Sequence, residues 1–277
     1  LVDNRTPKSF YEVLTDAMNY FVEHGFESGE RLEFWLKEIR RSAEQSLIPE
    51  SVLQEQLQNT FRGAYHRLIE KGGIAKYHKG VGQFTIQRVS PRLRSELDRR
   101  IMASAKLIKL NRRSAIEKTV QRFSGWATSI PAGGSETIDR RETKEDIRKA
   151  LASLPFEERR VAIDQGHKFI SSLSNILATD GGAIAVKWND HGHWDKRYNA
   201  RPEHMERDGK VYLLKDNWAQ MRGLVKPGPV GYYEDVTSFG EEVFCRCFGT
   251  YLYALRDLPN EMLTAKGRSE LERVRAA

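Results

Sequence analysis

Cysteine is nearly absent from this 277-residue chain: the two present, Cys245 and Cys247, stand one residue apart. A bridge between such close neighbours would be strained, and a single pair makes no disulfide framework, so reduced thiols are expected. Long apolar runs are missing too. None approaches the roughly 18 residues of a membrane-spanning helix, and no secretory hydrophobic region is seen. The sequence starts at Leu1 without a methionine, which leaves any preceding segment open. There is no Gly-x-x-x-x-Gly-Lys-Ser/Thr, no Gly-x-Ser-x-Gly and no His-Glu-x-x-His, which excludes a phosphate-loop motor, a nucleophile-elbow hydrolase and a zincin protease. Internal repeats and low-complexity tracts are also lacking. What remains, 39% hydrophobic and 30% charged residues, describes an ordinary soluble chain long enough to bury a real core, with a prior of two domains or one large one.

The net charge of +7 is concentrated rather than spread. Arg88, Arg92, Arg94, Arg99, Arg100, Lys106, Lys109, Arg112, Arg113, Lys118 and Arg122 face only Glu96, Asp98 and Glu117, eleven basic residues against three acidic, a local excess of +8. Such a segment suits a polyanion, with nucleic acid as the default. A solvated helix face explains it equally well.

The first half reads as helices. Ser9 and Glu12 form a capping box, and Phe10, Val13, Leu14, Ala17, Phe21 and Val22 recur at helical spacing until Gly25. A second helix carries Leu32, Trp35, Leu36, Ile39 and Ala43 and ends before Pro49; a third runs from Ser51 to Gly72-Gly73. Ile74 to Val89 reads as a connector with a strand-like Phe84-Thr85-Ile86. Ser90-Pro91 then predicts the start of a long basic helix over 90–125, its apolar stripe running through Leu93, Leu97, Ile101, Ala105 and Ile108. Pro131 to Ser135 reads as a linker. The predicted domains are therefore 1–130, helical, and 131–260, mixed, followed by a charged tail over 261–277.

In the second half, a short helix from Thr143 is closed by Pro155, and another through Val161, Phe169, Leu173 and Leu177 reaches Gly181-Gly182. Ala183–Trp188, Lys210–Leu214 and Val243–Tyr253 have strand composition, and Lys215–Gly240 reads as a long ordered loop. The expected fold class is α+β: a helical N-terminal part with a long basic helix, then a small mixed helix/sheet domain.

One ordered set of residues stands out in that domain. Trp188, Asp195 with Arg197, His204, Asp208 with Gly209, and Cys245-Arg246-Cys247 follow each other over 60 positions. The set resembles the C-terminal core of the phage Mu F-like (MuF) head morphogenesis family, over roughly the last 120 residues. It departs from relatives that carry a Cys-x-x-Cys pair near the Asp-x-Arg turn. The resemblance implies a non-enzymatic minor head protein of a tailed bacteriophage, located in the virion at the portal vertex or inner capsid. Its implied partners are the portal protein, the major capsid protein and packaged double-stranded DNA. Arg99, Arg100, Lys106, Lys109, Arg112, Arg113, Lys118 and Arg122 are the candidate DNA contacts, through backbone phosphates rather than sequence.

Residue chemistry leaves further readings open. Asp208-Gly209 is a turn signal. Residues two apart in a strand share a face, so Cys245 and Cys247 would project together and Arg246 oppositely, toward Asp195 or Asp208. No cofactor is expected; zinc held by the two thiols and His191, His193 or His204 is one site the residue types allow. His191-Gly-His193 beside Asp190 and Asp195, with His204 as base, would instead suit a metal-dependent nuclease. A sequence-tolerant DNA-binding or scaffolding module is the remaining alternative.

Overall fold

The computed structural model describes residues 8–76, 78, 81–135, 140–191 and 200–276. Its fold class is α+β, with a helical N-terminal part and a small antiparallel sheet. The helices are α1 (Phe10–His24), α2 (Gly29–Ser46), α3 (Glu50–Tyr65), α4 (Gln83–Thr128), α5 (Arg140–Ala152), α6 (Leu154–Asp180), α7 (Pro202–Arg207), α8 (Trp218–Met221) and α9 (Ala265–Ala276). The strands are β1 (Ala185–Asn189), β2 (Val211–Leu213) and β3 (Phe248–Leu252).

The chain forms two compact units, Leu1–Leu57 with Ser104–Val161, and Gln58–Ala103 with Ala162–Ala277. The break falls elsewhere than the expected 131, because α3, α4 and α6 each contribute residues to both units. Pro131–Ser135 is packed against α1: Gly133 N donates to His24 O and Ser135 N to Val22 O, both at 2.9 Å.

In the first unit α1 begins as its capping box dictates, the Ser9 and Glu12 side chains each accepting the other residue's backbone N–H. Leu14, Met18 and Phe21 of α1, Ile39 of α2, Phe123 of α4 and Ile147 of α5 share one core, with the Phe21 and Phe123 rings edge to face at 5.7 Å. Gly25 ends α1 at φ +76°, and an added Cβ there would sit 1.8 Å from the Pro131 carbonyl oxygen. Gly25→Ala is therefore expected to cost more than about 1 kcal/mol, read as a lower thermal midpoint; an unchanged midpoint would refute that close approach.

Two expectations for α4 need correction. The stretch before Ser90 is helical from Gln83, with Phe84-Thr85-Ile86 inside the helix rather than in a strand, and Pro91 lies within it instead of opening it. Ile86, Val89, Leu93 and Leu97 form a continuous buried stripe across the proline, so packing outweighs the one backbone hydrogen bond that Pro91 cannot donate. The Ser90 hydroxyl meets Tyr65 Oη at 3.3 Å rather than capping. Pro155 likewise falls in the first turn of α6, where a missing N–H costs little.

In the second unit β1 is the central strand, paired antiparallel with β2 and β3. Alternation divides the side chains between two cores. Ala185, Leu213 and Leu252 face one, with Leu224, Val225, Met262 and Leu263. Val186, Trp188, Tyr212 and Tyr251 face the other, with Tyr233, Phe239, Cys245 and Cys247. The expected long loop is ordered and contributes α8 and buried Val225, Tyr233 and Phe239. The tail begins docked: Lys226 N donates to Met262 O and Thr264 N to Leu224 O.

Candidate functional site

Three chain segments converge beside Trp188. The first is the end of β1, where Trp188 is fully buried and Asp190 is 2% exposed. The second is α7, opened by Pro202 after an extended Arg201, which places His204 in the interior. Asp208-Gly209 then turns the chain back, as expected: Gly209 takes φ +74°, its N–H donates to Trp188 O at 2.9 Å, and Asp208 Oδ1 accepts from Asp190 N at 2.8 Å. The turn thus ties α7 to the end of β1.

The third segment carries the thiols and corrects an expectation. β3 starts only at Phe248, so Cys245 and Cys247 precede it and do not share a face by strand alternation. Phe244 adopts φ +61°, a left-handed conformation that a bulky side chain takes only when its surroundings enforce it. Asp164 of α6 provides that constraint: its Oδ1 accepts the Phe244 N–H at 2.6 Å, while its other oxygen pairs with Lys168 at 3.2 Å. The reversal turns both sulfurs inward.

His204 Nδ1 lies 3.6 Å from Cys245 Sγ and 3.5 Å from Cys247 Sγ. Cys247 Sγ is 3.8 Å from Asp190 Oδ1. On the far side of the imidazole, Nε2 stands 3.6 Å from Glu242 Oε2, a carboxylate anchored by Arg201 Nε at 2.8 Å. The Trp188 ring meets the His204 ring edge on at 5.5 Å and Phe239 at 4.5 Å, and the Arg207 guanidinium covers it at 5.0 Å. The two neighbouring thiols are shifted in opposite directions. The hydrogen bond from Cys247 pushes Cys245 down despite its burial; Cys247 in turn is pushed up by its bond to Cys245 and by burial, with the Trp188 side chain acting in the opposite sense.

Of the candidate motif residues, the fold therefore brings together Trp188, His204, Cys245 and Cys247, with Asp208-Gly209 as the supporting turn. Asp195, Arg197 and His193 lie outside the described residues. Arg246 is half-buried; burial, then its charge and that of His191, push His167 down. Among the described residues His204, not His191, joins the thiols. Sequence reasoning did not identify Asp164 and Glu242. Asp164 carries a faint signal, an acid among apolar residues on a helix; Glu242, in an irregular segment, carries none.

The DNA-contact candidates divide. Arg99 and Arg100 both hold Glu96 at 2.7 Å, Lys109 pairs with Glu50 at 3.2 Å, and Arg112 is buried on Glu158 and the Ile48 carbonyl. Arg100 and Arg112 are thus structural cations, because burial commits them to partners within the chain. Lys106, Arg113 and Lys118 are exposed, and Arg122, also exposed, donates to Asp146 O. Lys118 and Arg122 of α4 and Lys149 of α5 line one groove, together with Glu157.

In comparisons with known proteins, no family model, no curated protein and no solved structure matches this chain.

Proposed function

We propose that the chain is a minor, capsid-associated head protein of a tailed bacteriophage, a non-enzymatic part of head assembly at the portal vertex or inner capsid. The observation that carries the reading is the use made of the signature residues. Trp188, His204, Cys245 and Cys247, scattered along the sequence, share one water-excluded core, and Asp208-Gly209 forms the turn that closes it. Residues buried in this way hold a domain together; a hydrolytic histidine needs access to water and substrate. The MuF resemblance and this structural use of its residues point in the same direction.

DNA contact, in this reading, belongs to the exposed cations Lys106, Arg113, Lys118, Arg122 and Lys149. They would neutralise phosphates without reading bases, and binding would weaken steeply with salt.

The test is quantitative mass spectrometry of gradient-purified particles of the encoding phage. The chain is expected at a low, reproducible copy number near that of the portal protein. Its absence from the particles would overturn the proposal and direct attention to magnesium- or zinc-dependent plasmid cleavage.

A further inference from the structure

We infer that Cys245 Sγ, Cys247 Sγ and His204 Nδ1, with the Asp190 carboxylate as fourth donor, form a closed structural zinc site. Zinc–sulfur distances of about 2.3 Å and zinc–nitrogen distances of about 2.0–2.1 Å at tetrahedral angles put sulfur and nitrogen about 3.5–3.6 Å apart. The two sulfurs lie 3.6 and 3.5 Å from the one imidazole nitrogen, and all three donor atoms fall within 4.8 Å of each other. Asp190 Oδ1 lies 3.8 Å from Cys247 Sγ but outside the three-donor group, so its carboxylate has to swing toward the other donors to complete the tetrahedron.

Ordinary thiol hydrogen bonding accounts for this arrangement less well. Hydrogen bonding can satisfy each thiol, Cys247 Sγ donating to Asp190 Oδ1 and Cys245 Sγ facing Nδ1, but it does not require both sulfurs to stand equally close to one nitrogen. Thiolate, imidazole and carboxylate are together a zinc donor set, and zinc takes all three without a redox change. The outer shell fits as well. Coordination through Nδ1 leaves the proton on Nε2, which has no hydrogen-bond partner among the described residues and lies 3.6 Å from Glu242 Oε2, so a small movement gives the carboxylate–histidine contact typical of metal sites. Trp188 Nε1, buried without an oxygen or nitrogen partner among the described residues, is a second donor and acts on Cys247.

Burial assigns the class of site. His204 is 0%, Cys245 1%, Cys247 3% and Asp190 2% exposed, so the donors are shut off from bulk water, as in structural rather than catalytic zinc sites. Binding would release the two thiol protons to solvent and link β1, α7 and the segment before β3 through one ion. The site does not depend on the proposed role in phage heads.

The full chain, made without a metal-binding tag, is expected to carry about one zinc per molecule by elemental analysis. Its apo form should take up cobalt(II) with the intense visible bands of a tetrahedral ion and a sulfur-to-cobalt charge-transfer band. Chelation should lower the thermal midpoint and zinc should restore it. Cys245→Ser and Cys247→Ser should each weaken the charge-transfer band, and Asp190→Asn should keep both sulfur contributions while binding cobalt at least about 10-fold less tightly. A chain isolated without metal whose apo form gives no sulfur-to-cobalt band would overturn the assignment. So would a Cys245→Ser/Cys247→Ser double variant that binds zinc as tightly as the parent. The wild-type cobalt spectrum decides the matter even if the variants do not fold.

Discussion

Trp188→Ala is expected to destabilise the protein by about 3–5 kcal/mol, the range for removing a large aromatic side chain from a packed core. The ring is fully buried near the end of β1 and, among the described residues, meets the rings of His204, Tyr212 and Phe239. Its removal leaves a void beside the two sulfurs, and the hydrogen bond that ties Asp190 N to the Asp208-Gly209 turn leaves the neighbouring backbone little freedom to collapse into it. The Arg207 guanidinium would lose the aromatic face it covers. Trp188→Phe keeps a ring against Phe239 and should lose much less. Urea unfolding followed by circular dichroism measures both variants. A loss below about 1 kcal/mol for the alanine variant would mean that the core closes over the void, and that Trp188 does not organise the cluster.

What the sequence makes legible here depends on distance along the chain. α1 is readable because its cap, apolar stripe and terminal glycine are all local, and each sits where the sequence places it. The start of α4 is misread although its information is also local: Ile86, Val89, Leu93 and Leu97 are at helical spacing, but Pro91 is given more weight than the stripe that spans it. The Cys245–Cys247 pair is a subtler case. Both thiols do point inward together, for a reason no periodicity contains: the left-handed Phe244, held by an aspartate 80 residues earlier. The choice of His204 as their neighbour rests on contacts across 41 and 43 residues, which only the assembled sheet defines. Charge is legible as a sum and not as an assignment, since a run of arginines looks the same whether its partners are phosphates or glutamates on another helix.

Arg112 is the position where that ambiguity can be resolved most sharply. Its Nη2 donates to Glu158 Oε2 at 3.2 Å, its Nη1 to the Ile48 carbonyl at 2.6 Å, and the two charged side chains are 11% and 13% exposed. Arg112→Ala would leave a nearly buried carboxylate without its cation and a carbonyl without its donor, at an expected cost of about 3–5 kcal/mol. The greater part of that cost is the stranded charge rather than the strength of the pair, so Arg112→Met with Glu158→Met should recover most of the stability. A lysine at this position would keep the charge but lose the forked donor geometry that reaches both partners, and should recover only part. A DNA-contacting arginine would behave in the opposite way, losing affinity while the unfolding midpoint stayed in place. Lys118→Glu with Arg122→Glu and Lys149→Glu provides the contrast: these groove residues are exposed, so reversing them should leave folding nearly intact and reduce DNA affinity most strongly at low salt. If Arg112→Ala unfolds at the parental urea concentration, the ion pair is not structural; if the triple reversal binds DNA as the parent does, the groove is not the contact surface.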